Sequence, residues 1–109
     1  MIREKLKTDI ANLVIEELSM ANKKYPLFSS DHEGKAVIEE EMEECQEAFN
    51  TAMGHFVEMW NLIRKNDYAG GQAKLGRDAL ILVAAEAIQA AAMMEKFRES
   101  AEERFAEAK

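Results

Sequence analysis

The chain has 109 residues, which suits one domain with a core that leaves much apolar surface uncovered. Hydrophobic residues make up 48% against 32% charged, which excludes a disordered chain, and one Pro with five Gly favours long helices over a turn-rich β fold. The net charge of −7 excludes a nucleic-acid backbone as the main partner, because such binding needs a basic face.

Three helices are readable in chain order. The first is expected from about Ile2 to Lys23, with Ile2, Leu6, Ile10, Leu13, Leu18 and Ala21 recurring at roughly helical spacing. Tyr25-Pro26 stops it, since the residue before Pro disfavours the α region. Ser29, Ser30 and Asp31 then form a start signal, in which Ser30 and Glu33 have the spacing of a capping box.

The second helix is expected from about His32 to Lys65. Ile38, Met42, Cys45, Phe49, Ala52, Phe56, Met59 and Ile63 alternate steps of four and three and draw one apolar stripe. Such a helix is on the order of 50 Å long, so a bend or break near Gly54 is expected, as is packing against a second copy of the chain. Asn66 to Gly71 reads as a loop. The third helix is expected from about Gln72 to Ala106. The fold class is therefore all-α: an antiparallel bundle of about three long helices in a single domain spanning residues 1–109, completed by oligomerisation.

Cys45 stands alone, which fits a reducing compartment, and Met1 to Asp9 lack the apolar core of a signal peptide. The most apolar run, Ala79 to Met94, is shorter than the ~20 residues needed to span a bilayer. The expected location is cytoplasmic.

Within that run only Glu86 and Gln89 are polar, and a helix apolar all round is normally buried all round. Both fall on the stripe of Leu75, Ala79, Leu82, Met93 and Phe97. An unpaired buried carboxylate is costly, so Glu86 is protonated, bound to a metal, or paired with a Lys or Arg, unless the stripe opens to solvent there. On the second helix, Glu39 to Glu41, Glu43, Glu44 and Glu47 form a dense acidic run. Glu41 and Glu44 share a face, and a hard cation such as Mg²⁺ relieves their repulsion; the competing reading is a solvated acidic face. An i, i+3 acidic pair facing a carboxylate of the next helix is one way to build a metal site inside a bundle. A di-iron centre would want Glu-x-x-His twice, and neither His32 nor His55 supplies it. Cys45 reads as a small core residue. Phe56 and Trp60 have the chemistry to stack on a base but sit at core spacing.

Phe28-Ser29-Ser30-Asp31-His32-Glu33-Gly34-Lys35-Ala36-Val37-Ile38, running into Glu40, Glu41 and Glu44, resembles the MazG-like nucleoside triphosphate pyrophosphohydrolases of the short bacterial and phage type. The segment from Glu86 to Met93 resembles their second motif block, and the likeness spans Glu16 to Phe97. The resemblance implies Mg²⁺-dependent hydrolysis of an NTP or dNTP to the monophosphate and pyrophosphate, with Mn²⁺ as a substitute metal. It implies metal ligands at Glu41, Glu44, Glu86 and Gln89, with Glu40 and Glu41 catalytic and Glu40 orienting a water. Gln89 departs from the pattern, which has Asp there. Lys74, Arg77, Lys96 and Arg98 are the candidate phosphate-binding cations. The family works as dimers or tetramers, which implies a homodimer or homotetramer here. A catalytically inactive interaction or nucleotide- and metal-sensing protein on the same fold is the alternative.

Overall fold

The computed structural model describes residues 2–108, which fold into three helices with no strand among them. Helix α1 spans Glu4–Lys24, α2 spans Asp31–Arg64 and α3 spans Gly70–Ala108. The all-α expectation therefore holds. No helix among the described residues is long and apolar enough to cross a membrane.

Local chemistry sets the helix limits. At the end of α1 the Tyr25 N–H donates to the Ala21 carbonyl, and Tyr25 itself is extended (φ −135°, ψ 142°), as a residue before Pro should be. Ser30 caps α2: its hydroxyl accepts the Glu33 N–H at 3.1 Å. The capping box is completed differently from the sequence expectation, because the Glu33 carboxylate takes the Ser29 hydroxyl.

The α2 C-terminus closes with a pair of bonds, Asp67 N–H to the Leu62 carbonyl (2.9 Å) and Asn66 N–H to that of Ile63 (3.0 Å). They require a left-handed residue at Asn66, which has φ 58°. Asn tolerates that conformation better than most residues, so the motif ends α2 and reverses the chain.

Two boundary expectations are overturned. Helix α2 runs unbroken through Gly54, since an interior Gly costs about 1 kcal/mol relative to Ala but keeps its backbone N–H and its place in the hydrogen-bond ladder. Gly70 and Gly71 belong to α3 rather than to the loop, and the Ala73 N–H already donates to the Ala69 carbonyl at 3.1 Å.

Helices α2 and α3 form a long antiparallel hairpin, and α1 lies against α3 without approaching α2. Small residues of the hairpin, Ala48 and Ala52 on α2 and Ala90 and Ala92 on α3, are all buried. Gly34 is needed where α2 and α3 draw together. A Cβ there would stand 2.6 Å from the Phe97 ring and 3.0 Å from that of Phe28. Phe28 pins the connector: its N–H donates to the Ser100 hydroxyl (3.0 Å), and its carbonyl accepts from Arg104 (3.0 Å), which also pairs with Asp31.

The molecule is elongated, 66 × 30 × 24 Å. Its radius of gyration is 18.3 Å, against about 13 Å for a compact domain of this length. Its accessible surface is 8122 Å², against roughly 6,100 Å² for a compact monomer of 12.3 kDa. The apolar stripes explain the excess. Of the α1 stripe only Leu18 is buried, and Met42, Phe49, Phe56 and Ile63 of the α2 stripe are exposed. The expectation that the apolar part of α3 is buried all round fails in the single chain, where Leu80, Ile81, Leu82 and Met94 face solvent. One hairpin and one short helix cover only part of the circumference of a helix about 58 Å long.

Candidate metal centre

The antiparallel register of α2 and α3 sets Glu41 and Glu44 opposite Glu86. One carboxylate oxygen from each residue can be chosen so that all three lie within 4.8 Å of one another. Glu41 and Glu44 project from the same side of α2 because they are three residues apart. Glu86 and Glu41 are half-buried and Glu44 is exposed. The Oε2 atoms of Glu41 and Glu86 are shut off from solvent, and neither has a hydrogen-bond partner.

Of the readings of Glu86, this geometry removes the pairing with a Lys or Arg. Among the described residues no Lys or Arg pairs with it; the ion pairs lie elsewhere. Three carboxylates this close, two of them with orphaned oxygens, are an unfavourable arrangement unless something positive joins them. Burial, then Glu86, then Glu40 push the Glu41 carboxyl above the usual carboxylate range. Glu44 is raised as well, chiefly by the charge of Glu41. The donors are all hard oxygens, the set that Mg²⁺ and Mn²⁺ prefer, and no histidine joins them among the described residues. The residues therefore fit a divalent cation and do not fit a di-iron centre of the Glu-x-x-His type.

Glu40 is exposed on the flank of the cluster and acts on Glu41 and Glu44 through its charge. Gln89, one helical turn beyond Glu86, is exposed and lines a groove of about 650 Å³ that begins at Glu41. Helix α1 contributes Glu17 and Lys24 to this groove, and the connector contributes Tyr25 and Phe28.

The candidate cations separate clearly. Lys74 and Arg77 sit on Asp78 (3.8 and 2.9 Å), about 18 and 13 Å along α3 from Glu86, and do not line the groove. Asp78, whose carboxyl Arg77 holds below its ordinary range, keeps them there. Arg98 is occupied by Glu95 and Glu102. Lys96 alone of the four faces the groove.

The sequence gives no sign that Phe28, Tyr25 and Glu17 line the groove. The signal for the two aromatics was their place on either side of Pro26, where a chain reversal lays the connector over α3. Cys45 is half-buried with its thiol 3.8 Å from the Val83 carbonyl, as suits a small packing residue. Phe56 and Trp60 are exposed and far from the cluster in sequence, and Phe56 borders a second, apolar groove of about 510 Å³ near Leu80 and Ile81. His55 bonds Gln72 at 2.8 Å.

In comparisons with known proteins, no protein-family model, no curated protein and no solved structure matches the chain.

Proposed function

We propose that the chain is a Mg²⁺-dependent nucleoside triphosphate pyrophosphohydrolase of the MazG-like kind. The observation that carries the reading is the trio Glu41, Glu44 and Glu86, with two orphaned buried oxygens, of which Glu41 also lines a groove of nucleotide size. The sequence likeness over Phe28 to Glu44 and Glu86 to Met93 supports the same reaction.

Glu41, Glu44 and Glu86 would hold the cation, with the Gln89 amide as a neutral neighbour. A bound Mg²⁺ would neutralise phosphate charge and favour ionisation of a nearby water. The protein's own part is positional. Burial and the neighbouring carboxylates raise the proton affinity of Glu41, and the charge of Glu41 raises that of Glu44; a bound cation would compete with protons for the same oxygens. Glu40, exposed next to Glu41 in sequence, would orient the water that attacks the phosphate chain. Residues of α1 and the connector form part of the groove's lining.

The working form is a homo-oligomer. The accessible surface exceeds that of a compact monomer by roughly 2,000 Å², more than the ~800 Å² per partner of a standard interface. The excess is apolar: Phe49, Phe56, Trp60, Leu75, Ile81 and Leu82 are all exposed on the hairpin. A second copy packing its hairpin on this one makes a four-helix bundle and covers those faces. Sedimentation that finds a dispersed monomer at micromolar concentration would remove this part of the reading, whereas a dimer or tetramer supports it.

Incubation of the pure protein with a panel of NTPs and dNTPs and Mg²⁺ tests the activity. The expected result is release of pyrophosphate and a monophosphate from at least one nucleotide, and loss of that release in Glu41→Gln. Absence of turnover across the panel overturns the enzyme reading.

A further inference from the structure

Within α1, Val14, Glu17, Leu18 and Ala21 are the residues that are not exposed, and their spacing puts them on one face. Glu17 is the only charged residue of that face, where packing alone would favour an apolar side chain. Among the described residues no Lys or Arg pairs with it. Neither its carboxylate nor the Gln89 amide makes a hydrogen bond there.

The two residues are neighbours in space. Glu17 and Gln89 line the 650 Å³ groove together with Glu41, and they also line a smaller cleft of about 190 Å³ between α1 and α3. They are the only residues common to both, so they stand on the ridge between them, one from each helix. Gln89 lies one turn from Glu86 on the same side of α3. Its amide has two unlike ends: an oxygen that can face a cation and an NH2 that cannot. A carboxylate only accepts hydrogen bonds, so Glu17 can take this amide only by its NH2. Held so, the amide turns its oxygen away from α1.

We infer that Glu17 is a positioning residue for the metal centre: it anchors the Gln89 NH2 and so presents the amide oxygen to a cation held by Glu41, Glu44 and Glu86. The inference rests on the metal centre of the function proposed above and is independent of the hydrolysis. The pair also accounts for an amide at position 89 in this chain. An Asp there sets a second carboxylate beside Glu17, and the two repel. The amide gives Glu17 a donor on one side and the cation an acceptor on the other.

The test is a double-mutant cycle on the full chain, read as Mn²⁺ affinity by calorimetry: parent, Glu17→Leu, Gln89→Leu and the double variant. Each single variant should lower the affinity by about tenfold. The double variant should bind no more weakly than the weaker single variant, because Glu17 acts through Gln89. Glu17→Gln, whose amide oxygen still accepts the Gln89 NH2, should keep most of the affinity. Metal-free Glu17→Leu should melt at the parent's temperature or above it, since Leu suits that face of α1. Losses that multiply in the double variant overturn the inference, because Glu17 then acts on the cation by its charge alone. Unchanged affinity in Glu17→Leu overturns it too, as does Glu17→Gln binding as weakly as Glu17→Leu. A Glu17→Leu protein that fails to fold makes the carboxylate structural and also overturns it. A parent that binds no Mn²⁺ removes the metal centre and this inference with it. Coupled loss at Glu17 and Gln89 in a protein that turns over no nucleotide supports the inference and removes the enzyme reading.

Discussion

Replacing Glu86 with Gln probes the metal centre without the need for a substrate. The substitution removes one of the two carboxylates with orphaned buried oxygens and leaves the side chain's shape nearly unchanged. At 4.8 Å the repulsion between the Glu41 and Glu86 charges is about 0.9 kcal/mol in bulk water and about 3.5 kcal/mol at an effective dielectric of 20. Both residues are only half-buried, so screening places the effect nearer the lower bound, about 1 kcal/mol. Metal-free Glu86→Gln should therefore be more stable than the parent, with a Tm higher by about 4–8 °C for a domain of this size. Added Mn²⁺ should reverse the order: the parent gains stability with metal concentration, and the variant gains much less. Thermal melts with and without Mn²⁺, at one fixed protein concentration, measure both effects. A variant that loses stability equally in the two conditions would show that Glu86 is a structural charge partner and that the metal centre is wrong.

Three further outcomes follow from the same geometry. The folded-state proton affinities of Glu41 and Glu44 are raised, so the folded protein binds more protons than the unfolded chain just above the ordinary value of 4.5. Metal-free stability should then fall as pH rises through that window, while Mn²⁺ affinity climbs over the same range; melts and titrations as a function of pH check the sign, and a flat profile contradicts it. Gln89→Asp adds a fourth carboxylate one turn from Glu86 and should raise Mn²⁺ affinity by about tenfold, whereas calorimetry that finds no change would place Gln89 outside the centre. Gly34→Ala puts a methyl against the Phe97 and Phe28 rings and should cost about 1–3 kcal/mol. Gly54→Ala, with nothing within 4 Å of the new Cβ, should gain about 0.5–1 kcal/mol. Chemical denaturation compares the two, and equal effects would refute the packing account.

Local signals carried most of the fold. The Ser30 cap, the Tyr25-Pro26 stop and the apolar stripes place three helices within a few residues of their observed limits. Glycine was the weak point. Gly54 and the Gly70-Gly71 pair read as breaks, yet a helix paired along its length with another tolerates the loss of a few side chains. The trio Glu41, Glu44 and Glu86 was legible because a carboxylate within an apolar run on one helix implied a partner on the next. Which of the candidate cations faces the groove was not legible. Lys74, Arg77 and Lys96 look alike in sequence, and only the α2–α3 register and the fold-back of Phe28 onto α3 bring Lys96 to the groove. The long apolar face of α3 also misled, since its burial depends on surface that one chain does not supply.

The most direct test of the metal centre is anomalous diffraction from crystals of the protein grown with Mn²⁺. The account predicts one strong peak bonded to carboxylate oxygens of Glu41, Glu44 and Glu86, with the previously orphaned Oε2 atoms turned to the ion or to its waters. Absence of a peak at saturating Mn²⁺, or side chains of the three residues pointing apart, would contradict it.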